Sequence, residues 1–551
     1  MNKKIIWGLL IGIVLLAAVL RLWQLGQIPP SPDWDEVALG YDAYSFIHTG
    51  RDEFGKFLPV VLRSFDDYKP ALYAYLAVPS VYVFGLTTFA VRFPSAVFGI
   101  LSVLAVFFLV KELFENYKYK DYLALITSFL LAISPWSIQF SRVGFESNVG
   151  TALNIFVALF FLKGLKKPWF LSLSAIFAGL AIYAYQSEKV FTPLLVLVLA
   201  LIFHRHLFSI KKKYIVSALI IGVLVVLPMI LYMFTDKSSF LRIKGTSIFN
   251  YQTEILSTQI QDIKRDTFNN DNLGFILDNR RLVYAKTIVG GYLSHFDLNW
   301  LFIRGDIERH HAPNMGLLYL YELPFLFLGL YFLIFGSEIT GFSRRTKLLV
   351  IAWLLLAPLP ASITTGVPHA VRTLNFLPTF QIITALGILS AFIYINKFKR
   401  LKYFFVLIFA GVFIFNFAYY LDQYFVQLNY YDSSDWQYGY KQAVDEVKIL
   451  QGNYKQIVIS DQQPMDKSYM FFLFYLQYSP SEYQKVGQTS SGGYAAHHAF
   501  GKYVFRAIDW QKDSQMKNTL FVGTADEIPT AASMKIINNL NGTTAIKMAG
   551  T

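Results

Sequence analysis

Long apolar runs separated by short polar loops fill most of the first 425 residues. A helix rises 1.5 Å per residue, so roughly 20 apolar residues cross a bilayer core of about 30 Å. The runs predict about eleven such helices, near 5–25, 92–112, 122–140, 148–163, 169–186, 190–204, 213–233, 316–336, 347–366, 376–395 and 402–422. One further apolar stretch, 71–86, starts at Lys69-Pro70 and holds Pro79 and several tyrosines; it reads as a helix lying in the interface. After Tyr430 the pattern changes. Ala443, Val444, Val447 and Leu450 repeat at helical spacing, 456–460, 503–508, 519–523 and 535–537 read as short strands, and 470–476 reads as a buried helix too short to span. Residues 1–425 are thus expected to form a transmembrane domain, and 426–551 a small α/β domain.

Loop charge orients these helices. With the N-terminus inside, the inner loops carry Lys111, Lys118 and Lys120; Lys163, Lys166 and Lys167; Arg205 and Lys211 to Lys213; Arg344, Arg345 and Lys347; and Lys397 to Lys402. Each is basic, as the positive-inside rule requires, and counting 71–86 as a span would reverse the bias. The outer side then owns 26–91, a short loop at 141–148, the long loop 235–315, the turn 366–376 and the tail. Met1-Asn2-Lys3-Lys4 resembles the start of a signal peptide, but Arg21, Leu22 and Trp23 stand where small residues would mark cleavage, so the first helix is read as retained.

Composition agrees with this class. Hydrophobic residues make up 55% and charged residues 15%, with 51 Phe and 35 Tyr, which excludes an ordinary soluble domain. The net charge of +13 is spread over the inner loops and forms no single basic face, so it does not imply nucleic acid. The chain has no cysteine, which excludes disulfides and thiolate metal sites.

Ionisable residues gather at the outer span ends: Asp35, Glu36, Asp66, Asp67, Lys69, Arg92, Arg142, Glu146, Glu188, Lys189, His369 and Arg372. Carboxylates beside Arg and Lys at one depth can hold a phosphate and still keep a base. Plainer readings stand beside this one: Arg92 and Arg142 snorkelling from span ends, Glu188 with Lys189 as a local ion pair, Asp66 and Asp67 neutralising Lys69. His310-His311, with His295 upstream, match no strong metal-ligand spacing. A transporter of lipid-linked saccharides would also need many spans, yet related halves and broken midplane helices are not evident.

The order of the outer motifs resembles the GT-C glycosyltransferases, in particular bacterial relatives of the protein O-mannosyltransferases and of the lipid A aminoarabinose transferase. The motifs are the Asp35-Glu36 pair, Lys69-Pro70-Ala71-Leu72, Val91-Arg92-Phe93-Pro94, Ser134-Pro135 with Ser141-Arg142, and Pro358 through His369-Ala370-Val371-Arg372 to Pro378. The likeness covers about 5–395 and leaves the tail unassigned; relatives carry Lys-Pro-Pro-Leu where this chain has Ala71. It implies an enzyme of a bacterial cytoplasmic membrane, tail outside, passing a sugar from a polyprenyl-phosphate donor to a hydroxyl on a protein, glycan or lipid, with inversion. Asp35 would be the base and Glu36 its orienting partner. Lys69, Arg92, Arg142, His369 and Arg372 would face the departing phosphate, and Asp67, Tyr68, Glu146 and Glu188 the sugar or acceptor. Whether Glu146 also helps hold a divalent cation is left open.

Overall fold

The computed structural model describes residues 2–65, 67–236, 245–249, 254–336, 342–398, 401–487 and 498–551. Asp66 lies outside the described residues. All eleven expected stretches contain helix. Among the described residues, seven helices are long and apolar enough to cross a membrane, and a bent pair makes an eighth. That pair, Lys120–Ile133 and Pro135–Ser141, turns by 57° at Ser134-Pro135, where proline cannot donate the next helical hydrogen bond. Three others are short: Phe170–Ile182, Glu188–Ile202 and Glu322–Phe335. The first two are cut at the outer side because Tyr185 and Gln186, between them, unwind into a turn that lines a cavity. The chain is a multi-pass membrane protein whose helices Lys212–Thr235 and Leu401–Asp422 turn large apolar side chains outward, as a lipid-facing surface requires.

The segment between the first two spans holds several of the expected charged residues. Helix α1 (Lys3–Leu22) ends below it, and helix α2 (Trp34–Thr49) opens with a reciprocal cap. The Asp33 carboxylate accepts the Glu36 N–H at 2.8 Å, and Glu36 accepts the Asp33 N–H at 3.1 Å. Gly50, at φ +67°, ends the helix in the left-handed conformation. A hairpin that the sequence reading did not anticipate follows, β1 (Val61–Ser64) with β2 (Asp67–Pro70), and its register sets Leu62 opposite Lys69. Helix α3 (Leu72–Phe84) has 13 residues, a length of about 20 Å, too short to span and suited to the interface. Helix α4 (Thr88–Leu113) then crosses.

The tail folds as expected into an α/β layer. Its mixed sheet has six strands, with 456–459 parallel to both 503–505 and 519–523 at the centre. Strands His498–Phe500 and Thr544–Gly550 were not anticipated, the latter because Thr-Ala-Ile-Lys-Met-Ala-Gly lacks the usual β-branched density. The last spanning helix runs on to Tyr431, past the expected boundary at 425. One buried apolar cluster joins Val37, Ala38 and Tyr41 of α2 to Val91 of α4 and to Phe471, Phe474 and Ile457 of the tail. The tail therefore packs directly on the helix that carries Asp35.

Candidate active site

A cavity of about 180 Å³ opens at one end of the helix bundle, lined among others by Asp35, Lys69, Glu146, Arg309, His369 and Arg372. Asp35 is the second residue of α2, and its side chain is 29% exposed toward this space. It forms an ion pair with Lys69, brought across by the β1–β2 hairpin. Burial alone would lower the Lys69 ammonium, but Asp35, Glu146 and Asp33 outweigh it and raise the group above its ordinary value. Lys69 therefore stays charged, beside two carboxylates. Glu146 is the first residue of the helix Glu146–Lys166.

The far wall comes from two outer segments distant in sequence. Arg309 reaches Asp33 at 3.3 Å and lies over the Trp34 ring at 3.9 Å. Arg372 is held at one end by Thr364 Oγ1 and the Thr365 carbonyl, each at 2.6 Å. His310 Nδ1–H donates to the Asp306 carboxylate at 2.8 Å, and the His369 backbone N–H donates to His295 Nε2 at 3.2 Å. Gln186 completes the rim, its amide donating to the Tyr68 carbonyl at 2.8 Å. The carboxylates on one wall thus face cations on both.

Five of the anticipated residues meet in this cavity: Asp35, Lys69, Glu146, His369 and Arg372. Others do not. Arg92 is fully buried, and its guanidinium gives two N–H to Glu36, at 2.8 and 3.0 Å, and the other three to the carbonyls of Leu25, Pro29 and Ser31. A guanidinium has five N–H donors, so none remains for a phosphate. Glu36, also fully buried, takes the Gly144 N–H as well and faces away from the cavity. Arg142 is buried against the carbonyls of Leu20 and Ile28 and the rings of Tyr424 and Phe425. These three tie the first outer loop to the spans below.

Glu188 pairs with amides and hydroxyls rather than with Lys189: Asn154, Asn375, Ser187 and Thr192 surround its buried carboxylate. Tyr68 turns its ring toward Val61, Met229 and Tyr232, and its carbonyl accepts from Gln186 at the cavity rim. Asp67 pairs through its backbone with Ser64, and its side chain lies outside the described residues. Arg309 went unnoticed because it sits in a long loop with no motif around it. The spacing Asp33-x-x-Glu36 is that of an N-terminal capping box, a signal the sequence reading passed over in making Glu36 the partner of the base.

Residues 68–232 match the family described as dolichyl-phosphate-mannose-protein mannosyltransferase. Among solved structures, ArnT from Cupriavidus metallidurans bound to undecaprenyl phosphate is similar over 99% of both chains, with TM-score 0.55 and 13% identity. The archaeal oligosaccharyltransferase AglB from Archaeoglobus fulgidus, in complex with an inhibitory peptide and a dolichol-phosphate, is similar over 86% of this chain with TM-score 0.50 and 13% identity. The chain spans 64% of that protein's length. No curated protein sequence gives a match. Over residues 68–232 the chain matches the mannosyltransferase family, and along nearly its whole length it shares the GT-C fold of ArnT.

Proposed function

We propose that the protein transfers a glycosyl group from a polyprenyl-phosphate donor to an acceptor hydroxyl at the outer face of a membrane, with inversion. The observation that carries this reading is the convergence of Asp35 and Glu146 with Lys69, Arg309 and Arg372 on one cavity. Asp35 takes the acceptor proton as the oxygen bonds to the anomeric carbon. The bond from that carbon to the phosphate oxygen breaks, and its electron pair leaves with the polyprenyl phosphate as a stable anion. No second acid is needed. Lys69 pairs with Asp35, while Arg309 and Arg372 stand opposite to meet the growing phosphate charge. Glu146 borders the space left for the sugar. ArnT was solved with undecaprenyl phosphate and AglB with a dolichol-phosphate, which supports a polyprenyl phosphate as donor here.

The test is Asp35→Asn in proteoliposomes supplied with a polyprenyl-phosphate sugar and a hydroxyl acceptor. Transfer should drop about 10²- to 10⁴-fold, the usual contribution of a positioned base. The melting temperature should fall less than in a variant of the sealed Glu36, because the Lys69 ammonium keeps Glu146 beside it. A variant keeping more than half the parental rate would remove Asp35 from the mechanism.

A further inference from the structure

Beside the acid–base pair lies a cluster the transfer step does not use. Asp306, His310 and His369 each place one ligand-type atom within 4.8 Å of the others. They come from two separate outer segments, the long loop and the late turn, joined here by the Ala370 N–H donating to Asp306 at 2.7 Å. His369 Nδ1 is buried and has no hydrogen-bond partner among the described residues. His310 packs against the rings of Phe140 and Phe145, so one side of the cluster is apolar. The other side is open: His310 and His369 border both the Asp35 cavity and a larger outer cavity of about 870 Å³, through which an ion could enter.

We propose that Asp306, His310 and His369 bind a zinc ion that clamps the long outer loop to the late outer turn. Two imidazoles and one carboxylate suit zinc, whereas magnesium and calcium prefer oxygen-only shells. Zinc–nitrogen bonds of about 2.0 Å put tetrahedral ligands roughly 3.3 Å apart, so the cluster closes by at most about 1.5 Å, within reach of side-chain rotation. Water from the larger cavity takes the fourth position. Protonation states agree with the geometry. Burial favours neutral His310 and His369, whose lone pairs are then available, and the His310 ring N–H and the Ala370 N–H donated to Asp306 favour its anionic form. An anionic carboxylate and neutral imidazoles are the forms a metal requires. The clamp would fix Arg309, between two ligands, and Arg372, three residues beyond the third, at a set separation across the cavity.

This inference does not rest on the transferase reading, and its test needs no turnover. The full-length protein, purified tag-free in detergent without chelator, is assayed for metal by mass spectrometry. About one zinc per chain is expected, falling below about one tenth in the His310→Ala/His369→Ala variant and unchanged in His204→Ala/His206→Ala. Because the first variant could fold poorly, the parental protein is also stripped with a chelator and titrated with zinc chloride alone. Its melting temperature should rise by several degrees, and magnesium chloride should not move it. Zinc retained equally by the double variant, or a stripped protein indifferent to zinc, overturns the site.

Discussion

Asp35 and Glu36 are neighbours in sequence, yet one is 29% exposed to a cavity and the other is sealed at 0%. Successive residues on a helix point about 100° apart, so a helix lying along a protein–water boundary sends adjacent side chains to opposite environments. Each acid has its own cation, Lys69 for Asp35 and Arg92 for Glu36. The difference lies in how the cations are committed. Arg92 spends every donor inside the protein, while Lys69 sits at a wall where other charges can approach. The acidic pair is thus divided into one group turned toward the cavity and one that anchors the helix presenting it.

The widest gap between the two acids should appear in stability. Glu36→Ala leaves the Arg92 charge buried without its partner, and breaking a buried pair in this way costs about 3–5 kcal/mol. The variant should lose most of its monodisperse fraction in detergent, and a Glu36→Gln/Arg92→Met protein, with no charge left to strand, should recover much of it. If Glu36→Ala melts within a degree or two of the parent, the anchoring role is wrong.

A smaller effect is expected at Gly40, on the same helix. A methyl there would lie 2.5 Å from Val91 Cγ2 and 2.8 Å from Phe474 Cε2, so α2 approaches both α4 and the tail more closely than any larger residue allows. Gly40→Ala should cost about 1–3 kcal/mol, as overpacking usually does. It should also slow transfer, because moving α2 shifts Asp35 relative to Lys69. A drop in stability with transfer untouched would show that the cavity tolerates a displaced α2.

The spans were legible because apolar length and loop charge are properties of the local chain. The division of the charged residues was not, because it depends on which donors are already used. Arg92 and Arg372 look alike in sequence, each near an outer span end, but Arg92 meets three carbonyls of 25–31 and Arg372 meets a turn that leaves it at the cavity wall. Types and order pointed to Asp35 and Lys69, which line one cavity; Arg309 and Asp306 became visible only when the long loop folded back onto the late turn. The reciprocal cap of Asp33 and Glu36 was readable in principle, being a three-residue spacing, and it separates Glu36 from Asp35.

Asp33 gives the mildest test, and it probes the same corner through pH. Burial raises its carboxyl to about 7, with Asp35 and Glu36 adding to the effect, while Arg309 and the Glu36 N–H oppose it. The unfolded chain would release this proton near pH 3.9. Between those values the folded protein holds the proton and the unfolded chain does not, so the group's contribution to stability is full below about pH 4 and is lost as pH rises through about 7. Asn caps a helix as well as Asp does and does not titrate. Asp33→Asn should therefore gain on the parent by a few degrees in melting temperature between pH 5 and pH 8, the difference cancelling groups common to both proteins. If the variant instead falls behind as pH rises, Asp33 is ionised in the folded state, and its charge, held by Arg309, belongs with Asp35 in the open half of the pair rather than with Glu36 in the sealed one.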